Sequence, residues 1–329
     1  MEKPRVFVTR RIPEEGTALL DQVAEVTVWL DDAPPPREVF LREAARSDGL
    51  LCLLTDKVDS EVMDASANLR VISNYAVGVD NIDVKAATER GILVGNTPDV
   101  LTETTADLAF ALLLAAARRV VEADRFLRAC GWRAWSPTLF LGQDIHGSTL
   151  GIIGMGRIGR EVARRAAGFS MHVRYTDPRR ATEVEEAIGA KRMSLDELLR
   201  ESDFVSLHTA LTAETRHLIG AREIALMRPT AILVNTCRGP VVDQAALYDA
   251  LKTGRIAGAA LDVFEDEPVD CSDPLLALDN VVVVPHIGSA SVATRAKMAI
   301  IAAENVIAGL EGRPLPHQVN VIPHLRTTG

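Results

Sequence analysis

The sequence predicts an α/β protein made of two doubly wound domains. Three observations carry this. Short apolar runs alternate along the chain with longer, helix-compatible stretches. Several of the runs are apolar at consecutive positions, as suits parallel strands covered by helices on both faces. The chain has 329 residues, more than the ~100–200 of one domain. Its 47% hydrophobic and 25% charged residues supply enough apolar surface to offset the entropy of ordering, which excludes a disordered chain.

The candidate strands fall into two sets. The first is Arg5–Thr9, Val26–Leu30, Gly49–Leu54, Val71–Ala76 and Ile92–Asn96. The second is Thr149–Gly154, Met171–Thr176, Phe204–Thr209, Ala231–Thr236, Gly258–Val263 and Val281–His286. Strand–helix–strand repetition within each set argues for parallel sheets.

The break between the sets lies near residues 100–148. Thr102 can cap a helix beginning at Glu103. The stretch from Thr104 to Val121 is apolar nearly all round, so it demands burial on most sides; a helix between two domains would meet that demand. Trp132 and Trp135 follow in a loop, where either local packing or a subunit contact would account for them. The stretch from Ala290 to Leu310 reads as a helix that could cross back to the first domain.

Lys and Arg number 36 against 45 Asp and Glu, a net charge of −9. Such a surface repels phosphate backbones, so nucleic acid is not an expected partner. An anionic substrate would need a local positive charge. The longest apolar run, Leu108 to Ala117, is shorter than the ~20 residues a membrane helix needs. The N-terminus runs into a strand without a secretory pattern. Cys52, Cys130, Cys237 and Cys271 are scattered, with no C-x-x-C pair, which fits reduced thiols and no metal site. The expected location is the cytoplasm.

The segment Gly154-Met-Gly156-Arg-Ile-Gly159 follows an apolar strand and opens a helix. Gly154 permits a tight turn, Gly156 leaves room for a pyrophosphate, and Gly159 lets helix and strand approach. The helix N-terminus favours an anion. The next strand ends at Asp177-Pro178, near the expected ~20 residues beyond the last glycine. A carboxylate there can accept the ribose hydroxyls and would repel a 2′-phosphate, which favours NAD over NADP. Arg179 and Arg180 leave NADP open.

Three polar residues stand at the ends of predicted strands, where open α/β sheets bind ligands. Arg238 lies in Asn235-Thr-Cys-Arg-Gly239, Glu267 in Asp262-Val-Phe-Glu-Asp-Glu-Pro268, and His286 in Pro285-His-Ile-Gly288. Glu265 and Asp266 are alternative acids to Glu267.

These segments, with Asn74-Tyr-Ala-Val-Gly-Val-Asp-Asn-Ile-Asp83, Asn96-Thr-Pro-Asp99, Thr105-Ala-Asp-Leu-Ala109 and the glycine turn, resemble the D-isomer-specific 2-hydroxyacid dehydrogenases over nearly the whole chain. The glyoxylate/hydroxypyruvate reductase branch is the most similar. The resemblance implies a Rossmann dinucleotide-binding domain over residues 101–286 and a flavodoxin-like substrate (catalytic) domain built from both chain ends, residues 1–100 plus 287–329. It implies closure on a hinge near residues 100 and 287, and a homodimer formed through the region around Val120 to Gly147.

The implied reaction moves a hydride from NAD(P)H to a small 2-keto acid, giving the 2-hydroxy acid. Arg238 would grip the carboxylate and polarise the carbonyl. The loop matching Val77 and Gly78 would complete the clamp, with Leu54 also at the substrate. His286 would deliver the proton, and Glu267 would favour its charged form. Thr105, Met155, Arg157 and Ile158 would approach the phosphates or ribose. His208, Thr209 and Ala210 would lie near the adenosine. Thr236, Cys237 and Asp262 would flank the nicotinamide, together with Gly288. A cysteine so placed predicts sensitivity to thiol reagents. Family members that oxidise formate lack the glutamate partner, and those that oxidise phosphite carry a lysine where this chain has Val77; both comparisons favour a keto acid. Dehydrogenases of the D-3-phosphoglycerate or D-lactate type and an NADH-sensing corepressor are the alternative readings.

Overall fold

The computed structural model describes residues 3–322. The chain divides into two compact units, one comprising the residues up to Leu101 with those from Ser289 onward, the other Thr102–Gly288. Each unit holds one all-parallel sheet.

The first unit runs β1 (Arg5–Val8), α1 (Glu14–Val23), β2 (Glu25–Val28), α2 (Arg37–Ala44), β3 (Gly49–Cys52), α3 (Ser60–Ala65), β4 (Val71–Asn74), α4 (Val84–Glu89) and β5 (Leu93–Gly95). It is completed by the long C-terminal helix α12 (Val292–Leu310). The strand order is β2-β1-β3-β4-β5, so the direction in which successive strands are added reverses between β1 and β3. All residues of β3 and β4 are buried, which explains their unbroken apolar runs.

Helix α12 is capped by Ser291, whose hydroxyl accepts from the Thr294 N–H at 3.2 Å. Its buried alanines, Ala299, Ala302, Ala303 and Ala308, let it lie close on the first sheet. A side chain at Gly309 would strike Val71, with its Cβ 2.5 Å from that of the valine. Asn305 Nδ2 donates to the Asn96 carbonyl at 2.9 Å, and Tyr75 donates its hydroxyl proton to the Arg295 carbonyl at 2.6 Å.

The second unit contains α5 (Thr102–Ala117), α6 (Val120–Arg128), β6 (Thr149–Ile153), α7 (Arg157–Gly168), β7 (His172–Thr176), α8 (Thr182–Ile188) and β8 (Lys191–Arg192). It continues with α9 (Leu195–Glu201), β9 (Phe204–Leu207), α10 (Ala221–Leu226), β10 (Ile232–Asn235), α11 (Gln244–Lys252), β11 (Gly258–Leu261) and β12 (Val281–Val283). Its order, β12-β11-β10-β9-β6-β7-β8, switches direction between β6 and β9, the position at which such sheets open a ligand crevice. Two apolar clusters cover the two faces. One joins Leu150, Ile152 and Val234 to Leu113 and Val162; the other joins Ile153, Val205 and Leu233 to Leu198 and Leu247.

Four local features go beyond or against these expectations. The apolar stretch through Val121 is two helices, because Arg119 takes a left-handed conformation (φ +52°) after Ala117. The apolar side chains of α5 are met inside the second unit, by α7 and strands β10 to β12. Strand β8 has only two residues, both exposed, and carries no apolar run. Trp132 and Trp135 are 56% and 78% exposed, so local packing does not account for them. No helix among the described residues is long and apolar enough to cross a membrane.

Candidate active site

In the second unit, every candidate residue following a strand lies beyond that strand's carboxyl end. Because the strands are parallel, these residues share one edge of the sheet.

The glycine turn sits between β6 and α7. Gly154 has φ +95°, and a Cβ there would come within 2.7 Å of the His208 carbonyl oxygen, so glycine alone suits the turn. A Cβ on Gly159 would strike the Gly154 carbonyl oxygen, while one on Gly156 would meet nothing within 4 Å. Gly156 is the N-cap of α7, and no side chain caps that helix. Open space above uncapped N–H groups at a helix N-terminus fits a phosphate group.

Asp177 reaches back to this turn. Its Oδ2 accepts from the Met155 N–H at 2.8 Å and its Oδ1 from the Arg179 N–H at 2.7 Å. Arg192 donates to the carbonyls of Asp177 and Pro178. His208 Nε2 lies 2.8 Å from Ser206 Oγ, and burial pulls the ring's pKa down to about 4; Thr209 and the exposed Ala210 follow it. The hydroxyls of Thr209 and Thr236 are buried without a hydrogen-bond partner. Those two hydroxyls and the uncapped α7 N-terminus are polar groups suited to a dinucleotide. Arg157 and Ile158 begin α7.

Beyond β10, Asn235 organises the arginine turn. Its Nδ2 donates to the Arg238 carbonyl at 3.0 Å and its Oδ1 accepts from the Cys237 N–H at 3.1 Å. The Cys237 thiol also donates to Oδ1, and burial pushes its proton affinity up. The thiolate is the reactive form, so this environment opposes the thiol sensitivity expected from its position. The Arg238 guanidinium donates to the Cys237 carbonyl at 2.8 Å.

Beyond β11 and β12 lies a histidine–carboxylate pair. His286 Nδ1 is 2.7 Å from Glu267 Oε2, so Glu267, rather than Glu265 or Asp266, is its partner. The other Glu267 oxygen accepts from the Phe264 N–H at 3.0 Å. His286 adopts φ +51°, a conformation that costs energy for a non-glycine residue and clusters at functional sites. Asp262 is fully buried, accepting from the Ile287 N–H at 2.6 Å and the Gly288 N–H at 2.8 Å; burial raises its pKa. A Cβ on Gly288 would lie 3.4 Å from the buried Thr105 methyl. Thr105, Asp262, Gly288 and His286 are thus gathered at one place.

Leu54, Val77 and Gly78 belong to the first unit, in the loops after β3 and β4. Asn74 Nδ2 donates to the Gly78 carbonyl at 2.7 Å, Asn96 Nδ2 to the Val77 carbonyl at 2.7 Å, and Asn81 Nδ2 to the Leu53 carbonyl at 3.0 Å. These asparagines and Asn235 are the organising residues that the sequence reading passed over. For Asn74, Asn96 and Asn235 the signal was an amide side chain at the carboxyl end of a strand; Asn81, inside a loop, had none.

A dinucleotide-shaped turn, an arginine and a histidine–carboxylate pair on one sheet edge define a nicotinamide-dependent oxidoreductase. Residues 110–288 match the D-isomer specific 2-hydroxyacid dehydrogenase, NAD binding domain. A glyoxylate reductase from Korarchaeum cryptofilum (strain OPF8) is 57% identical over 319 residues, covering 97% of this chain and 96% of its own. Among solved structures, the TT0316 protein of Thermus thermophilus has a TM-score of 0.91 at 47% identity, over 96% of this chain and 100% of that one. An NADPH-dependent glyoxylate/hydroxypyruvate reductase from Sinorhizobium meliloti, in complex with NADP and malonate, has a TM-score of 0.82 at 33% identity, over 97% of each chain. The chain belongs to the D-isomer-specific 2-hydroxyacid dehydrogenase family. It is an NAD(P)-dependent dehydrogenase with two parallel-sheet α/β units.

Proposed function

We propose that the protein reduces glyoxylate or hydroxypyruvate to glycolate or D-glycerate, with NADH as the preferred donor. The observation that carries this reading is the 2.7 Å contact between His286 and Glu267, beyond β12 and β11, with β11 next to the strand of the arginine turn. When bound, the reduced nicotinamide supplies a hydride to the substrate's carbonyl carbon. The Arg238 guanidinium holds the substrate carboxylate and polarises the carbonyl. As negative charge grows on the carbonyl oxygen, His286 delivers a proton there, its ring held at Nδ1 by Glu267. The loop of Val77 and Gly78, with Leu54, supplies further substrate contacts.

Glycolate and glycerate contain one more hydride and one more proton than the corresponding keto acids, so the two transfers balance the reaction. Residues 101–286 would hold the dinucleotide; residues 1–100 with 287–329 would form the substrate domain. In this reading Gly154 to Gly159, including Arg157 and Ile158, bind the pyrophosphate with Thr105. Asp177 with Pro178 and Arg179 faces the ribose, His208 to Ala210 the adenosine, and Thr236, Cys237, Asp262 and Gly288 the nicotinamide. The Asp177 carboxylate supports NADH. A homodimer through Val120 to Gly147 is supported by the exposure of Leu127, Trp132, Trp135 and Leu141. Free cysteines at positions 52, 130, 237 and 271 support a reducing cytoplasm.

The test is a panel of glyoxylate, hydroxypyruvate, pyruvate, 2-oxobutyrate and phosphohydroxypyruvate, each with NADH and with NADPH. The highest kcat/KM should belong to glyoxylate or hydroxypyruvate with NADH. Preference for another keto acid overturns the substrate assignment. Tight NADH binding with negligible turnover overturns the enzymatic one.

A further inference from the structure

A second histidine–carboxylate pair lies beside the first. His217 Nε2 is 2.6 Å from Glu265 Oε1, and Glu265 stands two residues before Glu267 in the turn after β11. Gln244, the first residue of α11, holds the same glutamate: its Oε1 accepts from the Glu265 N–H at 3.0 Å, and its own N–H donates to Glu265 Oε2 at 3.4 Å. The Gln244 amide is fixed in turn by Asp273 Oδ2 at 2.7 Å. His217 is anchored through its N–H to the Pro240 carbonyl at 2.8 Å, two residues beyond Arg238.

The geometry points to a positioning role: His217, Gln244 and Glu265 brace the turn that carries Glu267. This inference rests on the acid–base reading of His286. Two further facts place the brace mechanically. The arginine turn and the glutamate turn are in direct contact, because a Cβ on Gly239 would overlap the Phe264 carbonyl. Glu267 itself is tied to the same turn through the Phe264 N–H. Movement of Phe264–Glu265 therefore moves the carboxylate that orients His286. The brace is built where the turn faces solvent, with the His217 and Glu265 side chains 43% and 31% exposed. At such exposure the pair adds little to overall stability, whereas small displacements of a proton donor are costly to rate.

The experiment compares Glu265→Ala, His217→Phe, His217→Gln and His286→Ala, using glyoxylate and NADH. Glu265→Ala and His217→Phe should each lower kcat about 10-fold, with the KM for glyoxylate and the Kd for NADH within about twofold of the parent. His217→Gln retains an N–H donor for Glu265 and should restore most of the loss. Parental kcat in Glu265→Ala and His217→Phe overturns the brace. A loss that His217→Gln does not reverse, or one that appears in the Kd for NADH, overturns it too. His286→Ala separates the two levels of the argument. If that variant turns over normally, the acid–base reading fails and takes the brace with it. If it is inactive while the other variants are normal, only the brace fails.

Discussion

Glu267 and His286 meet across two neighbouring strand ends, with Oε2 and Nδ1 2.7 Å apart, and the second carboxylate oxygen is anchored to the Phe264 N–H. One oxygen of the glutamate is thus fixed by the main chain while the other meets the ring. Replacing it with glutamine preserves shape but removes the charge. Glu267→Gln should lower kcat by about 10²-fold, and His286→Ala by about 10²–10⁴-fold, the range of a general acid. NADH titration by fluorescence should give a Kd near the parent's in both. Normal turnover of His286→Ala would remove the histidine from the reaction.

Arg238→Ala should raise the KM for glyoxylate and lower kcat together, because the lost clamp both binds the carboxylate and orients the carbonyl. Arg238→Lys keeps the charge but not the planar fork, and should recover only part of the loss. Steady-state kinetics of the two variants decides this. A change confined to NADH affinity would reassign the arginine to the cofactor.

Asp177 binds two backbone N–H groups of its own unit, those of Met155 and Arg179. Asp177→Ala should shift the ratio of kcat/KM values toward NADPH. It should also lower the melting temperature modestly, since two hydrogen bonds worth about 1 kcal/mol each are lost. A parent enzyme that already prefers NADPH contradicts the reading.

Burial holds the His208 ring neutral, its pKa brought down to about 4, whereas in the unfolded chain it titrates near ~6.5. Between those values the unfolded state binds more protons, so stability is fully present above the unfolded value and is lost as pH falls toward 4. The share from this residue is at most about 3 kcal/mol. Urea melts at pH 7.5 and pH 4.5 should show a smaller acid loss in His208→Asn than in the parent. Equal losses would place the acid sensitivity elsewhere.

Cys237 carries a thiol kept protonated by burial and bonded to Asn235, whereas Cys130 and Cys271 are exposed. N-ethylmaleimide should modify the two exposed cysteines first and leave turnover intact. Loss of activity in step with the first modified thiols, absent in Cys237→Ala, would restore the sensitivity that position alone suggested.

Much of this was legible in the sequence because local physics dictates it. Strands β3, β4, β9 and β10 are buried at every residue and therefore read as unbroken apolar runs. The glycine turn was visible because Gly154 takes a positive φ and Gly159 packs on the Gly154 carbonyl five residues away, both demands of the turn itself. Strand β8 was not, since two exposed charged residues carry no hydrophobic signal. The end of α5 was not, since a left-handed Arg119 has no composition of its own. The pairing of His217 with Glu265 joins positions 48 apart, and only the parallel neighbourhood of their segments brings them together. The acidic run of Glu265, Asp266 and Glu267 left its division of labour open until Glu265 was seen to meet His217 and Glu267 to meet His286.

Helix α12 closes a sheet whose strands were all synthesised some two hundred residues earlier. Strands β3 to β5 emerge from the ribosome with the surface meant for α12 still bare, and must wait through translation of the entire second unit before that surface is covered. The unit begun before the other is finished after it, so arrest of synthesis before Val292 would leave an apolar face for chaperones to shield.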